Sequence, residues 1–425
     1  MKIWIINPYG NIPGEGWRAY RETLLAEALA AQGHEVVWWV SNFEHRSKTF
    51  RTNSWQDIVV CERFLIRIVP STSYRMHISL ARIRYERNYA RNLRNRALAD
   101  GQNPDVIVLA EPAIFTSGII MEVVRKTGAK LVVDIIDLWP ELFALALPRW
   151  LRASSRLIFS PLAWRRAWLF RQADAFLAVS RDYLALAQSH AAEVPATVVY
   201  WSLDLRTFRG PARRDVRTLL PGLPSKLPQE IWGIYGGTLG ENYDLRTIMG
   251  CGELIQAAGQ PIRIILAGDG PLRAYVEQTI RERQLTSVVY LGPLHVESLR
   301  QLYEQCDFAL SSYVAGSTVS MPIKAFDYLA AGLPIINSLG RDLGALVAHE
   351  QVGLQYKPED AEDLFKAVTT MAQDSNLRQM ARGNALRVAQ DFDTSVQYQK
   401  AVALIESLLT TSRRKQDRPV PNPLD

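Results

Sequence analysis

Short apolar runs rich in β-branched residues alternate with longer segments of helical periodicity along most of this chain. Such alternation is typical of βαβ units, in which helices cover both faces of a parallel sheet. The segment 18–32 is the clearest helix of the first half, because its leucines and alanines recur at helical spacing and Gly33 follows as a C-terminal cap. The strands predicted in that half are residues 2–7, 35–41, 65–69, 105–110, 130–134 and 175–179.

A second series of the same kind follows a segment rich in proline and glycine. Its predicted strands are residues 231–235, 262–267, 288–291, 308–311, 334–337 and 353–356, and its predicted helices are residues 245–258, 272–283, 298–305 and 323–331. The sequence therefore predicts an α/β protein with two doubly wound domains. The expected boundaries are residues 1–208 for the first domain, 209–229 for a linker, 230–390 for the second domain, 391–412 for a helix packing back on the first domain, and 413–425 for a disordered tail.

Composition excludes several other classes of protein. With 425 residues, 48% of them hydrophobic and 22% charged, the chain is too long for one ordinary core and too apolar to be disordered. Its three cysteines show no C-x-x-C spacing, which argues against a disulfide framework or a thiolate zinc site and fits a reducing cytoplasm. The start of the chain does not resemble a signal peptide, and no apolar run approaches the roughly 20 residues of a membrane-spanning helix.

Glycine-rich turns follow the first strand of each predicted domain. Gly14 and Gly16 lie between the first strand and the first helix, and Gly237 and Thr238 occupy the same place in the second domain. A third strand-to-helix turn contains Gly268. Such turns bring backbone N–H groups close to an anion at a helix N-terminus, although each is also explained as a structural turn.

The densest pattern of candidate functional residues lies in the segment 320–336. Helical spacing places Lys324 and Asp327 on neighbouring turns of one helix, which ends at Gly332 before a strand. The two charged side chains could form a surface ion pair, or they could bind a phosphate and a ribose.

Several motifs together resemble those of the family 4 glycosyltransferases, which have the GT-B fold. They are Gly-His-Glu-Val at 33–36, Gly-Gly-Thr-Leu-Gly at 236–240, Ala-Gly-Asp-Gly at 267–270, Leu-Gly-Pro at 291–293 and Pro-x-Lys-x-x-Asp-Tyr-x-Ala-x-Gly-x-Pro from 322. Asp-Leu-Trp-Pro at 137–140 resembles a signature of the members that build bacterial surface polysaccharides. The resemblance covers nearly the whole chain.

This resemblance implies two facing Rossmann-like domains with an interdomain cleft. The implied activity is retaining transfer of a hexose, including amino or deoxy sugars, from a UDP-, dTDP- or GDP-sugar to a glycan or polyprenyl-linked acceptor. The donor would bind to the C-terminal domain and the acceptor to the N-terminal one. No cofactor or metal is expected, because N–H dipoles and a cation can stabilise the leaving nucleoside diphosphate.

The resemblance also implies roles for individual residues. Gly14 and Gly16 would face the donor phosphates, and Lys324 would contact the diphosphate as a catalytic residue. Asp327 would bind the ribose hydroxyls, whereas Asp137 would meet the acceptor hydroxyl or, alternatively, only cap a helix. The other expected donor contacts are Gly237, Thr238, Gly268, Gly292 and Leu294, of which the last two would help to read the base.

Two departures from the family pattern bear on these roles. Val319 stands where many members have the first of two glutamates, and residues 240–244 lack the cation that usually follows the second glycine loop. They favour one alternative, a GT-B scaffold that binds without catalysis. A second alternative is a nucleotide-sugar 2-epimerase, which shares the fold, although the Asp-Leu-Trp-Pro segment and the arginine-rich stretches argue against it.

Arginines crowd two stretches of the first domain, residues 75–96 and 149–171, together with aromatic and aliphatic residues. This mixture suits the interface of an anionic membrane, and no nucleic-acid-binding module accompanies it. The alternative is a solvated helix face over an aromatic core. The sequence predicts a peripheral protein at the inner face of the cell membrane, and its expected membrane or acceptor surface comprises Arg82, Arg84, Arg87, Arg91, Trp164, Arg165, Arg166 and Trp168.

Overall fold

The computed structural model of the protein describes residues 1–15, 21–76, 78–141, 143, 147, 149–209, 220 and 222–416. The chain divides into two compact units, of which the first comprises Met1–Tyr200 with Gln397–Asp425 and the second comprises Trp201–Val396. The first unit thus ends before the expected boundary at residue 208. The predicted linker is in part outside the described residues, namely 210–219 and 221, and its other residues form turns and coil within the second unit.

An eight-stranded sheet forms the centre of the first unit, with the order β10-β9-β8-β7-β1-β2-β6-β5. All neighbouring strands are parallel except β5 and β6. A separate antiparallel pair, β3 and β4, forms a small hairpin after β2. The strands are β1 (Lys2–Ile6), β2 (Glu35–Ser41), β3 (Phe43–Glu44), β4 (Thr49–Phe50), β5 (Gln56–Cys61), β6 (Phe64–Val69), β7 (Val106–Glu111), β8 (Lys130–Ile135), β9 (Ala175–Ala178) and β10 (Ala196–Val198).

Helices connect the consecutive parallel strands of this sheet, except that the chain passes from β2 to β6 through β3, β4 and β5. The described helices of this unit are Arg21–Ala31, Leu80–Ala99, Ser117–Thr127, Ser155–Ile158, Ser160–Phe170, Arg181–Gln188 and, from the end of the chain, Thr394–Gln416. β1 lies between β2 and β7, so the strand order reverses at β1 and β7. In open sheets of this type, ligands bind at the carboxyl ends of the strands that flank such a reversal.

The helix Thr394–Gln416 packs into the core of the first unit. Its buried residues join the apolar side chains of β1, β2 and β6, and they are Tyr398, Ala401, Val402, Ile405 and Leu408. The helix continues to Gln416, past the expected start of a disordered tail at 413, and residues 417–425 lie outside the described part of the chain.

The second unit contains a six-stranded parallel sheet with the order β13-β12-β11-β14-β15-β16. Its strands are β11 (Ile231–Gly236), β12 (Ile262–Ala267), β13 (Val288–Tyr290), β14 (Phe308–Ser311), β15 (Ile335–Asn337) and β16 (Gly353–Gln355). Its described helices are Leu205–Phe208, Leu245–Ala257, Arg273–Glu282, Val296–Gln305, Ile323–Ala330, Arg341–Glu350, Ala361–Gln373 and Ser375–Val388. The strand order reverses between β11 and β14, which places the expected ligand crevice after these two strands.

Candidate functional site

Three glycine turns of the second unit meet at the carboxyl edge of its sheet. Gly237 follows β11, Gly268 follows β12 and Gly292 follows β13. The N–H of Gly237 donates to the carbonyl of Ala267 at 2.9 Å, and the N–H of Gly268 donates to the carbonyl of Gly292 at 2.8 Å. A Cβ on Gly268 would lie 1.7 Å from the carbonyl oxygen of Gly237, so this contact requires glycine. Residues from three separate motifs therefore form one continuous edge.

Lys324 points its amine at this edge. The helix Ile323–Ala330 begins beside the first turn, and a Cβ on Gly237 would be only 3.0 Å from Lys324 Nζ. The Nζ lies 3.9 Å from the ring centroid of Tyr235, 4.6 Å from that of Tyr243 and 5.4 Å from that of Tyr313. These three rings form a tyrosine cage around the amine.

The caged amine has no hydrogen-bond partner among the described residues. Burial lowers the pKa of Lys324 to about 7, because the cage removes water from the ammonium and supplies no counter-charge. A bound anion would favour the protonated amine and form an ion pair with it. The arrangement suits the binding of an anion.

Two further hydrogen bonds join tyrosine side chains to the backbone around the glycine turn, one of them from the caging Tyr235. The Tyr235 hydroxyl donates to the carbonyl of Thr238 at 2.7 Å, and the N–H of Gly236 donates to the hydroxyl of Tyr328 at 3.0 Å. The sequence analysis did not identify the tyrosines, although Tyr235 directly precedes the glycine motif.

The structure brings together Gly237, Thr238, Gly268, Gly292 and Lys324. Asp327 is half-buried and lies one turn beyond Lys324 on the same helix, and Leu294 is half-buried just after Gly292. The other two expected donor residues belong to the first unit: Gly14 is exposed with a φ of +92°, whereas Gly16 lies outside the described residues.

In the first unit, Asp137 follows β8 and is half-buried. Burial raises the pKa of Asp137 to about 6, while the N–H of Leu138, which donates to it at 3.0 Å, and the charge of Arg82 favour the ionised form. The carboxyl group therefore titrates near neutrality. Such a group suits proton transfer with a hydroxyl, and the hydrogen bond from Leu138 also leaves the capping interpretation open.

Arg82 is buried beside Asp137 and does not belong to the surface on which it was expected. Its Cζ lies 4.2 Å from the ring centroid of Trp139 and 4.9 Å from that of Tyr9. Its Nε is 3.2 Å from both the Tyr9 hydroxyl and a carboxylate oxygen of Glu86. The physical reason is helical spacing, because Arg82 occupies the same buried stripe as Tyr85, Tyr89 and Leu93.

Glu111, at the end of β7, is a second acid that the sequence analysis missed. It is fully buried, and burial raises its pKa to about 8. One carboxyl oxygen accepts the N–H of Ala113, and the other has no partner among the described residues. Only its position at the end of a predicted strand could have indicated it.

The predicted membrane surface is present in part. Arg84, Arg87 and Arg91 are exposed and line an open groove of about 530 Å³ on the helix Leu80–Ala99. Large apolar side chains are also exposed in or beside the two arginine-rich stretches, namely Met76, Ile78, Leu80, Trp150 and Trp164. We call these eight residues the basic-apolar face.

The remaining residues expected at this surface differ in their exposure. Arg166 is buried, because it donates to the carbonyl of Trp139 and pairs with Glu141, so its predicted exposure is wrong. Arg165 is exposed, and Trp168 is half-buried.

The part of the chain that the structure describes contains neither a candidate metal site nor a candidate membrane-spanning helix. No group of three or more His, Cys, Asp or Glu side chains in that part of the chain is arranged to hold a metal ion. None of the described helices is long and apolar enough to cross a membrane.

Two family models match the two units separately. The model described as "Glycosyl transferase 4-like domain" matches residues 19–201, and the one described as "Glycosyl transferases group 1" matches residues 237–374. The chain belongs to the family 4 glycosyltransferases.

Among curated relatives of this glycosyltransferase is the chitobiosyldiphosphodolichol beta-mannosyltransferase of Debaryomyces hansenii, which is 24% identical over 135 residues. That alignment covers 30% of this chain and 29% of the relative, so the similarity spans under a third of either protein.

Solved structures establish the fold over nearly the whole chain. Sucrose-phosphate synthase from Thermosynechococcus elongatus superposes with a TM-score of 0.73 at 18% identity, covering 96% of this glycosyltransferase and 99% of that chain. Anabaena Alr3699/HepE in complex with UDP gives a TM-score of 0.67 at 17% identity, covering 96% and 100%. The glycosyltransferase therefore has the GT-B fold, with one Rossmann-like domain in each unit.

Proposed function

We propose that the protein transfers a hexose from a nucleoside-diphosphate sugar to a glycan or lipid-linked acceptor. The observation that carries this proposal is the caged amine of Lys324, which has no hydrogen-bond partner among the described residues. It lies beside three glycine turns at the strand reversal of the second unit. A diphosphate supplies the missing negative charge, and the N–H groups of the glycine turns supply further donors.

The names of similar proteins support the two substrate classes. Alr3699/HepE was solved with UDP, and the relative from Debaryomyces hansenii is named for a sugar acceptor on a dolichol diphosphate. We infer a nucleotide-sugar donor in the second unit and an acceptor in the first. The base, the sugar and the acceptor's identity are left to experiment.

In the proposed reaction, the bond between the sugar's anomeric carbon and the donor phosphate breaks, and a bond to the acceptor oxygen forms. Lys324 stabilises the charge that develops on the leaving diphosphate. The acceptor hydroxyl gives its proton to the ionised Asp137. Asp137 then keeps this proton or passes it to the departing phosphate. Retention of configuration and independence from metals are carried over from the family resemblance.

We further propose that the protein works at the inner face of the cell membrane, where a polyprenyl-linked acceptor is presented. The basic-apolar face supports this assignment, since exposed arginines attract anionic headgroups and exposed aromatic and aliphatic side chains enter the interface.

A donor screen tests the proposed reaction. The full chain is incubated with UDP-, dTDP- and GDP-sugars, with and without lipid-linked glycan extract, and released nucleoside diphosphate and isomerised sugar nucleotide are both measured. Transfer or acceptor-stimulated release supports the proposal. Isomerised donor without release would instead identify a 2-epimerase, and binding without any turnover would identify a catalytically inactive scaffold.

A matched pair of variants connects the reaction to the proposed site. Lys324→Ala should lose turnover by about 10²-fold or more, as expected when a charge-stabilising group is removed. Lys366→Ala, an exposed lysine on the helix Ala361–Gln373, is the control and should behave as wild type. Equal activities of the two variants would contradict the role of Lys324.

A further inference from the structure

Lys48 is a second cation whose amine has no hydrogen-bond partner among the described residues. It lies in the loop of the β3–β4 hairpin in the first unit, and its Nζ is 4.3 Å from the ring centroid of Tyr74. The residue as a whole is half-buried, which keeps the side chain near the surface, but its Nζ is covered by protein. An ammonium group in this position has lost water without gaining a hydrogen-bond acceptor.

The backbone at Lys48 closes the β3–β4 hairpin. Its φ of 59° lies in the left-handed region, which glycine and asparagine adopt more readily than lysine. Backbone N–H groups of Arg46 and Ser47 donate to the carboxylate of Glu44, so the loop is held without help from the lysine side chain. A left-handed residue is usual at the end of a short hairpin loop, so glycine and asparagine are suitable replacements for Lys48.

A second cation faces the same tyrosine. The Cζ of Arg82 lies 5.7 Å from the ring centroid of Tyr74, and its charge acts together with burial to lower the pKa of Lys48. Two acids lie near these cations, Glu44 beside Lys48 and Glu86 beside Arg82. Glu44 is engaged by backbone N–H groups, and Glu86, whose pKa burial raises, is shared between Arg82 and the Tyr9 hydroxyl. Arg82 is thus paired with Glu86, whereas Lys48 has the charge of Glu44 acting on it but no hydrogen-bond acceptor among the described residues.

Aromatic rings surround these cations. Tyr9 and His45 are half-buried with ring centroids 5.3 Å apart, and His45 also hydrogen-bonds the hydroxyl of Tyr74 through Nδ1. Flat apolar ring faces beside polar and charged groups suit a sugar that carries an anionic substituent.

The cluster is continuous with the region of Asp137. Arg82 lies between them, because it contacts Tyr74 and Tyr9 on one side and Trp139 on the other, and its charge acts on Asp137. An acceptor bound here could place a hydroxyl at Asp137 and an anionic group at Lys48.

We propose that Lys48 and Arg82, with Tyr9, His45 and Tyr74, form an acceptor subsite that binds an anionic group of the acceptor. This inference rests on the proposed glycosyl transfer and deepens it by naming an acidic acceptor. The shared chemistry is an oxyanion, supplied either by a uronic acid carboxylate or by the diphosphate of a lipid carrier.

Binding of small probes to the full chain tests the subsite without knowledge of the acceptor. Glucuronate, inorganic pyrophosphate and neutral glucose are titrated by calorimetry into the wild type and into Lys48→Asn, Lys48→Gly and Lys48→Arg. The pyrophosphate titrations use Lys324→Ala backgrounds, so that the expected donor site does not contribute. Asparagine and glycine suit the left-handed backbone, so these variants should fold as well as the wild type, which a melting curve checks.

We expect at least one anion to bind about 10-fold or more weakly to Lys48→Asn and Lys48→Gly, because a charge-assisted hydrogen bond is lost. Lys48→Arg should restore most of that affinity, and glucose should show no dependence on residue 48. Dependence of glucuronate binding indicates an acidic sugar, whereas dependence of pyrophosphate binding indicates the carrier diphosphate. Equal affinity of both anions for wild type and Lys48→Asn would overturn the inference.

The donor screen separates this inference from the proposed function. Lys48→Asn should keep acceptor-independent release of nucleoside diphosphate and lose acceptor-stimulated release by about 10-fold or more. If the wild type turns over no donor, the proposed function fails. If the wild type is active and Lys48→Asn retains the same acceptor-stimulated release as the wild type, only the acidic subsite fails.

Discussion

Lys324 illustrates how a binding group can oppose the stability of the domain that carries it. Its pKa of about 7 lies far below the ordinary value of 10.5 because the amine is buried without a counter-charge. Below pH 7 the folded state must hold a buried ammonium, and this penalty declines as the pH rises from 7 towards 10.5, since the folded protein then loses its proton before the unfolded chain does.

Lys324→Met should therefore stabilise the unliganded protein while it removes nucleotide binding. At pH 6 we expect the melting temperature to rise by about 2–8 °C, since apolar replacements of buried charges commonly stabilise and the domain is of ordinary size. The gain should shrink at pH 9. Calorimetric scans at both pH values check this, with Lys366→Met as the exposed control; a variant less stable than wild type at pH 6 would contradict the account of the cage.

Nucleotide affinity should depend on pH through the same group. As pH rises from 6.5 to 9, the free protein must take up a proton to bind a diphosphate, so the Kd should increase by up to about 10-fold per pH unit. Lys324→Arg keeps its charge throughout and should show a flatter profile. The nucleoside diphosphate selected by the donor screen serves as ligand, and parallel profiles for the two proteins would exclude Lys324 as the titrating group.

Asp137 should limit turnover on the acidic side. Its pKa of about 6 means that the carboxylate form is lost below that pH, so the ratio kcat/KM should fall as the pH drops from 7 to 5. Asp137→Asn should retain the cap at Leu138 yet reduce kcat by about 10²–10⁴-fold if the carboxylate accepts the proton. A variant with normal kcat would leave Asp137 with the capping role alone.

At the scale of elements, the helix Thr394–Gln416 completes the core of the first unit. Ile405 is fully buried against the central strands, so Ile405→Ala should lower the free energy of unfolding by about 2–5 kcal/mol. Val396→Ala, at a position that is 39% exposed, should change it by less than about 0.5 kcal/mol. Urea denaturation measures the free energy of unfolding of both variants. If Ile405→Ala lost as little stability as Val396→Ala, the helix would not belong to this core.

Each strand predicted from the sequence is present to within one residue at either end, because parallel strands buried on both faces leave continuous apolar runs. The short strands β3 and β4, and also β5 and β10, were not predicted. β5 is an edge strand with mostly exposed side chains, and its turn to β6, Glu62-Arg63, contains none of the usual hairpin residues.

The sequence predicted the parts of the candidate site that are formed by backbone turns. It did not predict which way the charged side chains point. Glycine motifs indicated the turns at Gly237, Gly268 and Gly292, since close backbone contacts require that residue. Arg82 was misplaced because its charge suggested solvent, although its spacing from Tyr85 and Tyr89 matched the buried stripe. Lys48 left no signal, because only the folded hairpin brings it to Tyr74.

At the scale of the whole molecule, the basic-apolar face should attach the protein to anionic membranes. We expect the triple change Arg84→Gln, Arg87→Gln and Arg91→Gln to reduce flotation with anionic vesicles several-fold, at about 1 kcal/mol per arginine near the surface. Leu80→Asp should also weaken binding, and raising the salt concentration should weaken that of the wild type.

A second triple variant controls for net charge. The changes Arg281→Gln, Arg382→Gln and Arg387→Gln remove the same charge from exposed positions of the second unit and should leave flotation unchanged. Equal losses from both triple variants would point to non-specific attraction, and no binding of the wild type at low salt would remove the membrane from the proposal.

The return of the chain to its first unit has a consequence for synthesis on the ribosome. The second unit is one continuous segment, Trp201–Val396, whose two ends lie side by side through the bridge between Leu203 and Asp393. The first unit, in contrast, lacks part of its core until the residues around Ile405 have been translated. Although domains often fold in the order of their synthesis, here the unit that is translated later is expected to finish folding earlier.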